Sequence, residues 1–294
     1  MFQQMSGRQT ASKGFLMDIS DQIQRVLIAS SLQIAVGIIV LFFTLCIANA
    51  MQRFVFRTMA SAIGLRPLVY STGWIGSPVH EFSHLVVLLI FRIKVIAFKP
   101  FSPDFKNGHL GYVISAPNPQ NPLHSLGFAL SGIAPVIGGI SLILLLGLVL
   151  LPDLDRAILE MAITSIDEET ASVNGYLSIV AGTTYDGIRI LFDPSNLGRW
   201  QFWVFLYVAT CVLCHFAPSS QDMHGIGPGL AVLIILVFIG NGTAAWMGFD
   251  SMDYTFYWGK CLGVVLGLLG IAFGVGLANC LASQIVAVPI RILR

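Results

Sequence analysis

Two histidines and a glutamate lie within five consecutive residues in the first third of the chain. His80, Glu81 and His84 follow the pattern H-E-x-x-H. On an α-helix, residues four apart share a face, so both imidazoles can bind one metal ion while the glutamate addresses a water molecule at that ion. The pattern therefore predicts a zinc (Zn²⁺) site, with Glu81 as the general base of a hydrolase.

The residues on both sides of this motif are apolar or uncharged. An uncharged run covers residues 68–79, and residues 85–91 are all apolar. Ionisable side chains are costly to place inside a membrane segment and usually have a function there. A buried polar cluster that only pairs with neighbouring helices is the alternative. Three ionisable groups in the motif order favour metal binding, and we expect the chemistry to take place at membrane depth.

The composition of the whole chain indicates a polytopic membrane protein. Of its 294 residues, 55% are apolar and 11% are charged, whereas soluble domains average about 25% charged residues. The net charge of +1 and the lack of a basic cluster exclude nucleic acid as a partner. The five cysteines all lie in apolar runs, so no disulfide framework is expected.

The predicted fold is an all-α polytopic membrane protein with about six transmembrane helices and a small β-like loop after the zinc-motif helix. A helix needs about 20 apolar residues to cross a bilayer. We interpret residues 1–294 as a single membrane domain. Its parts are a polar N-terminal segment (1–27), three spans with the motif (28–151), an acidic loop with a re-entrant or broken segment (152–199) and three further spans (200–294).

The individual spans are predicted at residues 28–50, 68–91, 123–151, 200–216, 226–248 and 257–290. Lys and Arg are slightly more numerous on one side of these spans, which favours a cytoplasmic N-terminus and a cytoplasmic C-terminus. Within the second span, Ser77 and Pro78 form a favoured N-cap and N1 pair, so the regular helix is expected to begin there. Small residues between 131 and 139 predict close helix packing in the third span.

Two short β-prone runs follow the motif helix. They are Val95 to Phe98 and Leu110 to Ile114, and Asn107-Gly108 between them is a strong turn signal. The sequence therefore predicts a small hairpin at the membrane surface.

A third metal ligand must come from elsewhere, because catalytic zinc usually has three protein ligands and one open position. Asp186 lies in the weakly polar segment 171–192, and Asp222 lies in the short turn between the fourth and fifth spans. Both carboxylates are candidates. His215 and His224 are interpreted as residues that make ordinary helix-end contacts.

An H-E-x-x-H motif in a membrane helix, followed much later by Asp-Gly and then Arg-Ile-Leu, resembles the site-2 protease family of intramembrane metalloproteases. The resemblance implies that Asp186 is the third zinc ligand beside His80 and His84, with Glu81 as the base. It also implies that the hairpin contacts an extended substrate through Gly108, Leu110, Gly111, Tyr112 and Val113. Of the longer family pattern around the aspartate, only Asp186-Gly187 is present.

The same resemblance implies an enzyme that cuts peptide bonds in or near transmembrane segments. Its partners would be a membrane-anchored protein or peptide substrate, the lipid bilayer and an unidentified regulatory membrane protein. The alternative is a non-catalytic scaffold or transporter-like protein with a structural metal site. Glu81 favours the enzyme, because a structural zinc site has no need of an uncoordinated base beside its ligands.

Overall fold

The structure is a computed structural model that describes residues 2–151 apart from 107, residues 191–250 apart from 220 and 225, and shorter stretches at 181–182, 184–185, 188–189, 270–272, 274–278, 281 and 284. Its helices are α1 (Phe2–Ile63), α2 (Leu65–Ile90), α3 (Pro122–Leu150), α4 (Pro194–Leu197), α5 (Trp200–Leu213) and α6 (Ile226–Trp246). Its strands are β1 (Lys94–Lys99) and β2 (Tyr112–Ala116). The predicted helical class is confirmed.

Three helices in the described part of the chain are long and apolar enough to cross a membrane. They are the Ser20–Ile63 part of α1, α3 and α6. α5 is apolar but has only 14 residues, fewer than the about 20 that a bilayer requires. Most of the predicted span at 257–290 lies outside the described residues. The described residues thus support the membrane character of the chain, and the predicted number of six spans is not confirmed.

The helix that carries the motif begins earlier than the sequence predicts. α2 runs without interruption from Leu65, after a left-handed turn at Gly64, and Pro78 lies inside it. The prediction of a start at Ser77 is wrong because the Ser77 hydroxyl donates to the carbonyl of Pro100, at 2.8 Å, instead of capping a helix. A proline removes one backbone donor, which a helix packed against neighbours tolerates.

Glycines in α3 allow its neighbours to approach closely. A Cβ atom at Gly138 would collide with the Ser83 hydroxyl of α2, and one at Gly132 would collide with the backbone carbonyl of Asp222. At Gly139 it would lie 3.0 Å from side chains of Val212 and Phe216. The close packing predicted from the small residues between 131 and 139 is confirmed. It places α3 against the motif helix and against the chain after α5.

The predicted hairpin is present. β1 and β2 pair in antiparallel fashion, with Lys94 opposite Ala116 and Lys99 opposite Tyr112. The loop between them closes through an isolated bridge between Asp104 and His109, and Gly108 has a positive φ of 73°, as the turn signal predicts. The hairpin packs on α2, so it covers the helix that carries the motif.

The apolar core surrounds α5. Its largest fully buried side chains include Phe202 and Phe205 of α5 and Phe216 just after it. They pack with residues of α1 and α3. The chain just after α5 is buried in this core and also lies beside α2, where the His215 carbonyl contacts the motif.

Candidate metal centre

His80 and His84 project from successive turns of α2 toward one point. Their Nε2 atoms are 3.1 Å apart. An Asp222 carboxylate oxygen lies 3.6 Å from His80 Nε2, and the other lies 3.3 Å from His84 Nε2. Zinc bonds to nitrogen and oxygen of about 2.0–2.2 Å place the ligand atoms of a tetrahedral site about 3.3 Å apart. The three groups therefore have the spacing that one metal ion requires.

Backbone carbonyls fix the orientation of both imidazole rings. Nδ1–H of His80 donates to the carbonyl of His215 at 2.7 Å, and Nδ1–H of His84 donates to the carbonyl of Ser131 at 2.8 Å. A neutral ring with its proton on Nδ1 presents a lone pair at Nε2. Two lone pairs and a carboxylate thus face one another. A proton could bridge one pair of these acceptors, whereas a metal ion satisfies all three.

The turn between α5 and α6 holds the Asp222 side chain in place. Its carboxylate accepts from the backbone N–H of Ser219 at 2.5 Å, and the Ser219 hydroxyl accepts from the backbone N–H of Asp222 at 3.3 Å. Gly132 in α3 gives this turn the space to approach the histidines. The carboxylate is therefore held at the site by bonds that do not involve the histidines.

The charge state of Asp222 suits a metal ligand. Burial raises the pKa of this carboxyl, but hydrogen bonds and positive charge from His80 and His84, when both imidazoles are protonated in place of a metal, lower it by more, so the pKa lies well below its usual range. A carboxylate must be ionised to bind a metal. Asp222 meets that requirement at any physiological pH.

Of the two candidate third ligands, Asp222 is the carboxylate that the structure places at the histidines. Asp186, which the family resemblance favours, lies outside the described residues. Of its described neighbours, Thr184 lies against Gly270 and Ile188 lies against Gly274. The sequence carried one further signal for Asp222, the pattern Ser-x-x-Asp. In this pattern each side chain often accepts a hydrogen bond from the backbone N–H of the other residue.

Glu81 lies beside the three candidate metal ligands and is not one of them. Its side chain is buried and lines the same cavity as the histidines, a space of about 520 Å³. Gly111 of the hairpin packs directly on it, because a Cβ atom there would lie 2.8 Å from Glu81 Cγ and 2.8 Å from the Ser77 hydroxyl. The hairpin thus closes one side of the site at the predicted base.

The hairpin residues predicted to contact substrate all line this cavity. They are Gly108, Leu110, Gly111, Tyr112 and Val113. The cavity is lined by both polar and apolar side chains. Gln52 of α1, whose side-chain oxygen accepts from the backbone N–H of Ala217 at 2.6 Å, is one of the polar lining residues, and Leu88 and Phe128 are apolar ones.

Two residues that support the histidines were not predicted from the sequence. His215, interpreted there as a helix-end residue, instead provides the carbonyl that orients His80. Ser131 provides the corresponding carbonyl for His84. Their main contact to the histidines is a backbone carbonyl, which any residue type carries, so no sequence pattern identifies them.

Comparisons with known proteins return no match. No family model, no curated protein and no solved structure is similar to this chain at a significant level. Its function is therefore inferred from its residues and their geometry.

Proposed function

We propose that this chain is a multi-pass intramembrane zinc metalloprotease of the site-2 protease type, with both termini on the cytoplasmic side. The observation that carries the proposal is the convergence of His80 Nε2, His84 Nε2 and the Asp222 carboxylate beside an uncoordinated glutamate. Two imidazoles and one carboxylate are a common ligand set of catalytic zinc sites. The fourth position is left for water.

The part played by the metal follows from this ligand set. Bound by these three residues, a zinc ion would polarise the scissile carbonyl and make a water molecule nucleophilic at neutral pH. The chain's own contribution is to keep both Nε2 lone pairs and one carboxylate at the spacing given above, through carbonyls on the two Nδ1 atoms.

Glu81 is the proposed general base and acid. It precedes the ligand His84 by three residues and faces the same cavity, and it is not needed as a ligand. Its carboxylate would take a proton from the attacking water and return it to the leaving amine. A structural metal site would have no use for such a group.

The hairpin is the proposed binding surface for the substrate. Residues of β2 line the cavity beside the histidines, and an extended peptide can add to the edge of a strand through backbone hydrogen bonds. A peptide that stays helical keeps its carbonyls in internal hydrogen bonds. The substrate is therefore a membrane-anchored protein or peptide with a segment that unwinds readily. The site lies among apolar helices, which suits cleavage within the bilayer, and a regulatory membrane partner would control access.

The experiment compares cleavage of a single-span substrate by the wild-type protein and by Glu81→Gln, both reconstituted in lipid. Glu81→Gln keeps the shape of the side chain and all three proposed ligands, so it should retain zinc. Its cleavage rate should fall by about 10²–10⁴-fold, the usual contribution of a general base.

The zinc content of Glu81→Gln serves as its own control for folding. Equal cleavage by the two proteins would contradict the proposed role of Glu81. Zinc binding without cleavage by the wild type would instead favour a scaffold with a structural metal.

A further inference from the structure

The imidazole ring of His215 lies in a slot on the surface of α2. Two glycines form this slot. A Cβ atom at Gly76 would collide with the carbonyl oxygen of Cys211 and lie 2.5 Å from the His215 ring, and one at Gly73 would lie 3.8 Å from His215 Nε2. The ring is buried. The position of the ring therefore depends on the absence of side chains at Gly73 and Gly76 in the helix that carries the motif.

A hydrogen-bond chain holds the ring inside the slot. Thr72, which is 3% exposed, donates its hydroxyl proton to the carbonyl of Leu68 at 2.8 Å. The same hydroxyl oxygen lies 3.0 Å from His215 Nε2, so it accepts the ring N–H. Phe56 of α1 contacts the ring edge-on, with 6.1 Å between ring centroids. These contacts leave the ring one orientation.

The backbone of the same residue orients a proposed zinc ligand. The His215 carbonyl accepts from Nδ1–H of His80 at 2.7 Å. The matching carbonyl for His84 belongs to Ser131, inside α3, where the helix itself fixes its direction. His215 follows the end of α5 at Leu213; its N–H still donates to the carbonyl of Val212 at 2.9 Å, but its own carbonyl lies beyond the helix. The ring gives this residue a second anchor.

We propose that Thr72 and His215 form a positioning pair that sets the orientation of His80 for metal binding. His215 lines the cavity, but neither residue of the pair belongs to the group of proposed metal ligands. It acts by fixing the carbonyl that holds the His80 ring, as partners beyond the direct ligands do in known metal sites. The inference rests on the proposed zinc site and assigns that site a support beyond its direct ligands.

The test is the zinc affinity of the full-length protein in lipid nanodiscs, measured by competition with a chelator. Thr72→Val keeps the size of the side chain and removes the hydroxyl. It should weaken zinc binding by about 10–100-fold, the usual effect of losing such a partner, while Thr72→Ser should bind as the wild type does. His215→Phe, which keeps a ring and the carbonyl but loses the Nε2 donor, should match Thr72→Val.

Thr210→Val is the matched control. Thr210 is also a buried threonine, and its hydroxyl donates to the carbonyl of Leu206 within its own helix at 2.6 Å. This variant should leave the zinc affinity unchanged. The absorption spectrum of the cobalt-substituted protein should shift in Thr72→Val and not in Thr210→Val.

Unchanged zinc affinity in Thr72→Val and His215→Phe would overturn the inference and leave the proposed zinc site intact. An equal loss in Thr210→Val would overturn it as well, because the effect would then be general. A wild-type protein without zinc affinity would contradict the proposed zinc site itself. Failure of the proposed function therefore shows in the wild type, whereas failure of this inference shows only in the variants.

Discussion

At the scale of single residues, the two carboxylates at the cavity have different proposed tasks because they have different neighbours. Asp222 lies within hydrogen-bond or ion-pair distance of both imidazoles and of a backbone N–H. Glu81 lies beside them under Gly111 of the hairpin. Such a division, in which surroundings decide which carboxylate carries charge and which moves a proton, is common in hydrolytic sites.

The packing of Gly111 on Glu81 leads to a prediction about activity. Gly111→Ala places a Cβ atom within 2.8 Å of Glu81 Cγ and 2.7 Å of the Pro100 carbonyl, so the hairpin or the glutamate must move. A displacement of about 1 Å at a reacting group can cost about 100-fold in rate. We expect a loss of that size in substrate cleavage, with zinc content unchanged.

Gly198→Ala is the control for this substitution, because nothing lies within 4 Å of the added atom. It should cleave as the wild type does. Full activity in Gly111→Ala would show that the hairpin does not constrain Glu81.

At the scale of elements, α2 was only partly predictable. Its motif follows from the spacing of His80 and His84, which is a local property of one helix. The beginning of α2 does not follow from local sequence. Ser77 is of a residue type that often caps helices, but its hydroxyl donates to the carbonyl of Pro100 next to the hairpin. The hairpin itself was predictable because a turn glycine between two β-prone runs is also local.

A polar contact between α1 and α6 gives a prediction about stability. The Asn241 amide donates to the Ser30 hydroxyl at 3.0 Å and to the Gln33 side-chain oxygen at 2.8 Å. Hydrogen bonds between membrane helices contribute about 0.6 kcal/mol on average and up to about 1.7 kcal/mol. Asn241→Leu removes both and should lower the free energy of unfolding by about 1–2 kcal/mol, measured by denaturation in detergent.

Thr243→Val on the same helix is the comparison. Among the residues that the structure describes, the Thr243 hydroxyl donates to carbonyls of its own helix, those of Ile239 and Gly240. Its unfolding midpoint should stay close to that of the wild type. Equal effects of the two substitutions would show that the contact between helices contributes nothing specific.

At the scale of the whole molecule, the proposed zinc site joins segments that are far apart in sequence. α2 supplies the histidines, α3 supplies a supporting carbonyl, and the chain between α5 and α6 supplies both Asp222 and the His215 carbonyl. The residues alone left Asp186 and Asp222 as candidates and the family resemblance favoured Asp186, because the choice depends on which loop the packed helices bring to α2, and the sequence does not show that. Glycines such as Gly132 allow that packing. A glycine does not indicate in the sequence which segment packs against it.

The zinc content of the purified protein tests the central claim most directly, compared among the wild type, Asp222→Ala and Asp186→Ala. The wild type and Asp186→Ala should each hold about one zinc ion per chain. Asp222→Ala should lose most of it, because two imidazoles alone do not complete a catalytic site. Full zinc in Asp222→Ala with loss in Asp186→Ala, or a wild type without zinc, would contradict the assignment of His80, His84 and Asp222 as the metal centre.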